Sequence, residues 1–477
     1  MTPVDPALSA SSLPFSRRAL VGSSLAAVAV WSLGAPPTLG ARQDDPSDPA
    51  TWHTWILDAP DELRPLAPSD PTPAEIDELL TLQTARTDEA IATIRQWTAR
   101  PAVVAWTELA TAALDESLSP IRQYRANGLL QAAMYDAVVA AYDAQDAYSR
   151  PMPTTFDDSI TPLEDVAADR PSFPSADAAV AGAAEAVLTA LLPDATPGRF
   201  TDLAGEATAA LLQAGVAFRS DVAAGLDLGR AVGDRAVAMA AEDQPGSAWD
   251  GSGQLTGPGY WEPTPPAFVD PPQETLAPTW HRWVLASADQ FRPSPPPAVD
   301  SLQWQSQLGA VREAVIQRTF EQARMAAFWQ GSPASTEWDG FAIDLISRYR
   351  LDLPHAARAL ALTGIAIADA EIAAWDGKYT YWTARPITID PDLDVQFPTP
   401  PFPSYPSAHA TVSNAAAVVL THLFPDDAAD LLSLAAEAAA SRAWAGIHFP
   451  VDNDAGTLLG RQVGYLVTNV ARDDGAE

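Results

Sequence analysis

Residues 171–194, PSFPSADAAVAGAAEAVLTALLPD, and residues 403–426, PSYPSAHATVSNAAAVVLTHLFPD, agree at 15 of 24 positions without a gap. Shared alanine richness alone does not give that agreement, so the two stretches read as copies of one unit. The register extends both ways. RANGLLQAAMYDAVVAAYDA from Arg125 parallels RALALTGIAIADAEIAAWDG from Arg358, and GLDLGRAVG from Gly225 parallels GTLLGRQVG from Gly456. These segments are rich in Ala and Leu, with little Val/Ile/Thr alternation, a composition that favours helix over strand. The expected fold is all-α, two four-helix bundles related by internal duplication. The limits read as an N-terminal extension over 42–116, a first bundle over 117–243, a Pro/Gly-rich linker or wrapping loop over 244–300 and a second bundle over 301–477.

The copies differ where chemistry would sit. Lys378, the only lysine in 477 residues, faces Gln145 in the first copy; His409 faces Asp177, Arg442 faces Leu211 and His448 faces Ala217. Arg385-Pro386 alone keeps its counterpart, Arg150-Pro151. Four residues replaced together by other chemical types behave as a functional set, which puts the site in the second, C-terminal bundle and makes the first a degenerate copy.

Composition narrows the class of partner. A formal charge of -33 repels nucleic acids and anionic membrane surfaces, which need clustered Lys and Arg. Without cysteine there is neither a disulfide nor a thiolate metal site. Arg17-Arg18 ahead of an apolar stretch to about Gly34, followed by small residues to Ala41, has the layout of a twin-arginine export signal over 1–41. The expected location is therefore periplasmic or extracellular. No later segment is long and apolar enough for stable membrane insertion. A homodimer is among the assembly states left open.

Three segments of the second half form the constellation: KYTYWTARP (378–386), YPSAH (405–409) and SRAWAGIHFPVD (441–452). In order and spacing they fit Lys-x6-Arg-Pro, Pro-Ser-Gly-His and Ser-Arg-x5-His-x3-Asp, with the glycine changed to Ala408. On these motifs the chain resembles the superfamily of vanadium-dependent haloperoxidases and type 2 phosphatidic acid phosphatases, in its bacterial haloperoxidase-like branch. The resemblance implies a vanadate cofactor bonded by His448, or a phosphate attacked by it. It implies His409 as acid/base, Asp452 as the partner of His448, and Lys378, Arg385, Ser407, Ala408 (through its backbone N–H) and Arg442 as the oxyanion cradle. Hydrogen peroxide, a halide and a small organic acceptor are the implied reactants. The alternatives are a secreted acid phosphatase with a phosphohistidine intermediate and a non-catalytic oxyanion-binding protein.

The residues support the resemblance on their own terms. Three fixed cations can hold a multiply charged tetrahedral oxyanion through charge-assisted hydrogen bonds. Pro406-Ser407 at the start of an apolar helix over 410–424 adds free backbone N–H groups at the same spot. Asp452 also stands where the N-cap of a helix over 453–471 belongs. Phe402, in a PPFPSYPS segment similar to that of the chloroperoxidases, and Trp382 are candidates for the pocket lining, as are Tyr379, Tyr381 and Trp444. His53, His281, His355 and His422 read as structural.

Overall fold

The computed structural model describes residues 48–163 and 170–476; the export-signal reading of 1–41 lies outside them. Among the described residues the regular structure is helical, with one isolated bridge between Tyr260 and Thr383. The principal helices of the first half are α1 (Pro120–Tyr148), α2 (Ala176–Leu191), α3 (Arg199–Ala214) and α4 (Arg219–Met239). Those of the second half are α5 (Leu353–Tyr381), α6 (Ala408–Leu423), α7 (Ala428–Trp444) and α8 (Pro450–Arg472). Each set packs as a bundle around its second helix. Three further helices flank each set, Pro73–Thr84, Asp88–Thr98 and Ala102–Ser117 on the first, and Leu302–Ile316, Phe320–Gly331 and Ala334–Tyr349 on the second. The bundles are not separate bodies. One continuous apolar core spans both halves, and residues 47–477 form a single compact unit.

Small residues explain the close packing. The glycines of GTLLGRQVG lie on the face of α8 against α6: a Cβ on Gly456 would stand 2.5 Å from the Ser407 carbonyl oxygen, and one on Gly460 2.0 Å from that of Thr411. Gly225 and Gly229 of α4 meet the Ser175 and Ala179 carbonyls of α2 in the same way, at 2.2 and 1.9 Å. Between the halves, α1 and α5 approach at Gly128 and Gly364, where a Cβ would meet Ala368 and Gln131.

Residues 244–300 do not run free between two bundles. The segment is laid over the second half, with hydrogen bonds from Trp261 N to Trp382 O at 2.6 Å and from Ala384 N to Gly259 O at 2.9 Å. Its last part makes a contact that also occurs in the first half. Asp369 of α5 accepts backbone N–H bonds from Trp283, Val284 and Leu285 at 2.8–2.9 Å. Asp136 of α1 accepts them from Trp55, Ile56 and Leu57. The two straps, WHTWILDAPDELRP (52–65) and WHRWVLASADQFRP (280–293), agree at 7 of 14 positions, a match hidden by its Trp- and Pro-rich surroundings. A buried carboxylate serving three amides cannot be removed without leaving those donors unpaired. Asp369→Ala is expected to cost about 3 kcal/mol of stability, checked by denaturant unfolding.

Candidate active site

The three motifs converge because each sits at a helix end facing the same point. KYTYWTARP closes α5 and turns back through Trp382 in a left-handed conformation, φ 50°. Ser407 is the N-cap of α6, which starts at Ala408, two residues earlier than expected. SRAWAGIHFPVD bridges α7 and α8; Gly446, φ 80°, makes the turn. Phe449 is the N-cap of α8, so Asp452 is not an N-cap but the third residue of a helix that starts at Pro450.

His448 is almost fully buried between Arg385 and Asp452. Its Nδ1 lies 3.0 Å from Asp452 Oδ2, and its Nε2 lies 3.0 Å from Arg385 Nη1. A carboxylate accepts and a guanidinium donates, so the proton is on Nδ1 and the lone pair is on Nε2. Burial, reinforced by the Arg385, Lys378 and Arg442 charges, holds His448 well below the usual imidazole range, as a neutral ring. Asp452 Oδ2 also accepts from Phe449 N at 3.0 Å and from Ser404 Oγ at 2.5 Å. It therefore holds the histidine and, from the third position of α8 rather than as the N-cap read from the sequence, satisfies the Phe449 amide. Burial raises its carboxyl to about 6 despite these donors.

His409 Nε2 is 2.8 Å from the Trp329 carbonyl. A carbonyl only accepts, so Nε2 carries the proton and Nδ1 is the basic nitrogen. Burial and then the Arg442 charge keep this ring neutral too.

The three cations are fully buried and hydrogen-bond only neutral acceptors. Lys378 Nζ donates to the carbonyls of Pro403, Ser404 and Pro406 at 2.9, 3.0 and 2.6 Å. It thus organises the loop before α6 rather than pointing free into a pocket. Its counterpart Gln145 bonds the matching Pro174 carbonyl at 2.9 Å, so this stitching belongs to both halves and only the charge is particular to the second. Arg385 bonds the carbonyls of Phe402 and Ile447, and its Nη2 has no partner. Arg442 bonds Ser441, Gln330 and the Ala326 carbonyl. Burial brings Arg385 and Arg442 down to about 9 and Lys378 well below its ordinary value. Clustered buried cations call for an anion.

The first half shows what this wiring replaces. There Arg150 pairs directly with Asp221 at 2.8 Å, while Asp221 caps Phe218 N. Asp221 matches Asp452, so Arg150 is not the only site residue with a counterpart. In the second half an imidazole stands between guanidinium and carboxylate. Ser175 Oγ caps α2 by accepting from Ala178 N, whereas its match Ser407 makes no cap bond and its buried Oγ has no partner.

These features test the fit of an oxyanion. Arg385 Nη2 and Ser407 Oγ are buried donors without protein partners, the start of α6 adds backbone N–H groups, and Nε2 of His448 carries a lone pair that accepts from Arg385 Nη1 here and would have to be released to bond an oxyanion. Vanadate or phosphate fits that donor set. Among the described residues no group of three or more His, Cys, Asp or Glu side chains could hold a bare metal cation.

A cavity of about 300 Å³ opens onto His409, His448 and Ala408. Phe402 lines it, packed 4.9 Å from Trp375 and about 5 Å from the Lys378 and Arg385 charges. Trp382 does not: it is buried against Trp249 and Trp261, because the turn it caps points it under the wrapping segment. Tyr379 and Tyr381 fasten that segment through the carbonyls of Gln273 and Pro293, and Trp444 receives Arg318 on its carbonyl. None of the three lines the cavity. His53 and His281 lie in the straps, His355 at the start of α5 and His422 near the end of α6.

Sequence reasoning missed Trp375, Gln330 and Ser404. Trp375 stands one helical turn before Lys378, a spacing that could have been read. Gln330 and Ser404 carried no signal, being ordinary polar residues outside the recognised motif positions. Ser404 Oγ reaches Asp452 while its carbonyl accepts from Lys378. Ser404→Ala is expected to weaken vanadate or phosphate binding about tenfold, measured by calorimetry; Ser172→Ala, at the matching position of the first half, should leave that affinity unchanged.

The comparisons with known proteins concern the family and the fold. Residues 356–475 match the family model of the PAP2 superfamily, which spans all the motif positions. The chain is similar to the crystal structure described as the first bacterial vanadium-dependent iodoperoxidase, at 25% identity and a TM-score of 0.60, covering 84% of this chain and 97% of that one. It also shares its fold with apo and holo bacterial vanadium-dependent chloroperoxidase, at 12% and 13% identity, TM-scores of 0.57 and 0.58, 75% and 76% of this chain and 95% of each of those. No curated protein sequence matches the chain. The resemblance to the superfamily read from the motifs and the helical, haloperoxidase-like fold both stand.

Proposed function

We propose that this protein is an exported vanadium-dependent haloperoxidase, oxidising halide with hydrogen peroxide. The observation that carries the reading is the His448 relay: a neutral imidazole with its proton committed to Asp452 and its Nε2 lone pair facing a cluster of buried, anion-seeking cations. Peroxidase is favoured over phosphatase by the likeness to the iodoperoxidase, which extends over both halves of the chain and not only the superfamily-matched segment. Export is part of the same reading and rests on the Arg17-Arg18 leader.

His448 Nε2 would bond vanadate, with Arg385 Nη2, Ser407 Oγ and the first amides of α6 donating to its oxygens and Lys378 and Arg442 balancing its charge. When bound, vanadate supplies a Lewis acid that polarises a peroxide oxygen without changing oxidation state. His409 Nδ1 accepts the peroxide proton, as a base already stripped of charge by burial. Asp452 holds Nδ1–H of His448 throughout, so the bonding nitrogen keeps its lone pair. Phe402 and Trp375 exclude water from one side.

Phosphatase chemistry is the second reading, because the same donors would hold a transferring phosphoryl group and the superfamily match covers them. Purified protein, with and without orthovanadate, should be assayed for peroxide-dependent oxidation of iodide, bromide and chloride and for hydrolysis of a simple phosphate ester. Vanadate-dependent halide oxidation, competed by phosphate, is the expected result. Ester hydrolysis without it would replace the peroxidase reading. Phosphate binding with neither activity would leave an oxyanion-binding protein.

A further inference from the structure

The side chains that react most readily with an oxidised halide are thiols, thioethers, amines and indoles, and the protein surface offers almost none of them. Cysteine is absent. The single lysine is fully buried, its amine donating to three carbonyls. Surface cations are arginines, whose guanidinium stays protonated and presents no free amine. Met134, Met152 and Met325 are buried. Among the described residues no tryptophan is exposed, Met239 is a partly exposed thioether and His53 is an exposed imidazole. Neither of these two keeps a halogen: a thioether ends as the sulfoxide, and an N-halogenated imidazole hands its halogen to a better nucleophile. Phenol is the remaining class. The ten tyrosines all lie among the described residues, and two of them are exposed, Tyr465 at 55% and Tyr349 at 42%. The Tyr349 hydroxyl donates to Asp427 Oδ2 at 2.8 Å, and that bond, with burial and the carboxylate charge, raises Tyr349 above the usual phenol range. Less of it is therefore phenolate, the reactive form. No carboxylate holds the Tyr465 hydroxyl; the side-chain bond to this residue falls on its backbone carbonyl, from Thr468 Oγ1.

We infer that Tyr465 is a self-halogenation site, taking halogen on a ring carbon beside its hydroxyl from hypohalous acid that has left the cavity. The inference rests on the haloperoxidase reading, which supplies the reagent: X⁻ + H₂O₂ + H⁺ → HOX + H₂O. At the tyrosine the reaction is Tyr–H + HOX → Tyr–X + H₂O. The O–X bond breaks and the C–X bond forms, the ring carbon gives two electrons to the halogen, and the displaced ring proton leaves with hydroxide as water. Tyr465 and Asp452 both lie on α8, 13 residues apart, roughly 20 Å at about 1.5 Å per residue, so the oxidant reaches the ring through solvent. Aromatic groups nearer its origin are shielded. Trp375 is 1% exposed with Lys378 Nζ 5.6 Å from its ring centroid, so the cationic intermediate of substitution would form against a buried ammonium. Tyr124 is buried, and burial raises its hydroxyl above the ordinary phenol range.

The full chain, loaded with orthovanadate, is given hydrogen peroxide and iodide, and in a second series bromide, with no other acceptor, and its peptides are mapped by mass spectrometry. Halogen on Tyr465 before any other residue is expected, with a smaller share on Tyr349. Tyr465→Phe should lose that label and keep the wild-type rate of halide oxidation, since the residue borders neither the cavity nor the cradle. Excess phenol should suppress the label by intercepting a diffusing oxidant. Halogen first on Trp375 or Tyr124, a Tyr465 label that phenol leaves unchanged, or halide oxidation with Tyr465 unmodified would each overturn the inference. Reagent hypoiodite or hypobromite, added to the chain without vanadate, separates this from the peroxidase reading. Tyr465 labelled by the reagent but not by vanadate, peroxide and halide, with no halide consumed, would overturn the peroxidase reading and with it the source of the halogen. Reagent label falling elsewhere would overturn the site alone.

Discussion

His448→Ala is expected to lower vanadate-dependent kcat/KM by about 10³-fold or more and to weaken vanadate binding in the same titration. The substitution removes the lone pair that faces the oxyanion cradle. It also returns Arg385 and Asp452 toward the direct ion pair that Arg150 and Asp221 make in the first half, at 2.8 Å. An arginine satisfied by a carboxylate no longer seeks an anion, so two effects act in one direction. Asp177→Ala, at the position matched to His409, should leave activity unchanged, since Asp177 borders neither the cavity nor the cradle. Full activity in His448→Ala would remove the histidine from the reaction and with it the assignment of the site.

Gly460→Ala is expected to destabilise the fold by about 3 kcal/mol, a large effect for one methyl group. The added Cβ would lie 2.0 Å from the Thr411 carbonyl oxygen and 2.9 Å from its carbon. Both are backbone atoms, so no side chain can move aside and α8 must shift from α6. Thr411 is one turn beyond Ser407, whose carbonyl its amide bonds, so the same shift displaces the oxyanion cradle. Vanadate affinity should fall along with stability. Gly340, inside the Ala334–Tyr349 helix, is the control: nothing lies within 4 Å of its added Cβ. Gly340→Ala should stabilise by about 0.5–1 kcal/mol. Thermal unfolding of both variants separates the close-packing explanation from a general intolerance of alanine.

The site motifs were legible because each rests on a side chain whose chemistry has few substitutes. A lone lysine, two arginines and two histidines, all but Arg385 exchanged in the matched half, stand out even with no alignment. The straps over 52–65 and 280–293 were equally present in the sequence. They were passed over because Trp- and Pro-rich stretches read as loops, and the aspartates they bind, Asp136 and Asp369, sit about 80 residues away. Trp382 looked like a pocket residue from its place inside a motif. The left-handed turn at the end of α5 sends it elsewhere.

The sequence by itself determined the helical class, and pointed to a pairing of its two halves and to the half in which the candidate site motifs lie, since these follow from periodicity, self-similarity and residue type. Only the tertiary structure decided how those residues are used. It spends Lys378 on three carbonyls, leaves Arg385 Nη2 and Ser407 Oγ without partners, and sets His448 between an arginine and an aspartate that pair directly in the other half. It also brings Ile121 and Val269 to the wall of a cavity ending on His409. Hydrogen-bond partners and cavity walls are made by residues far apart in the chain, and spacing along a sequence carries no information on which of them meet.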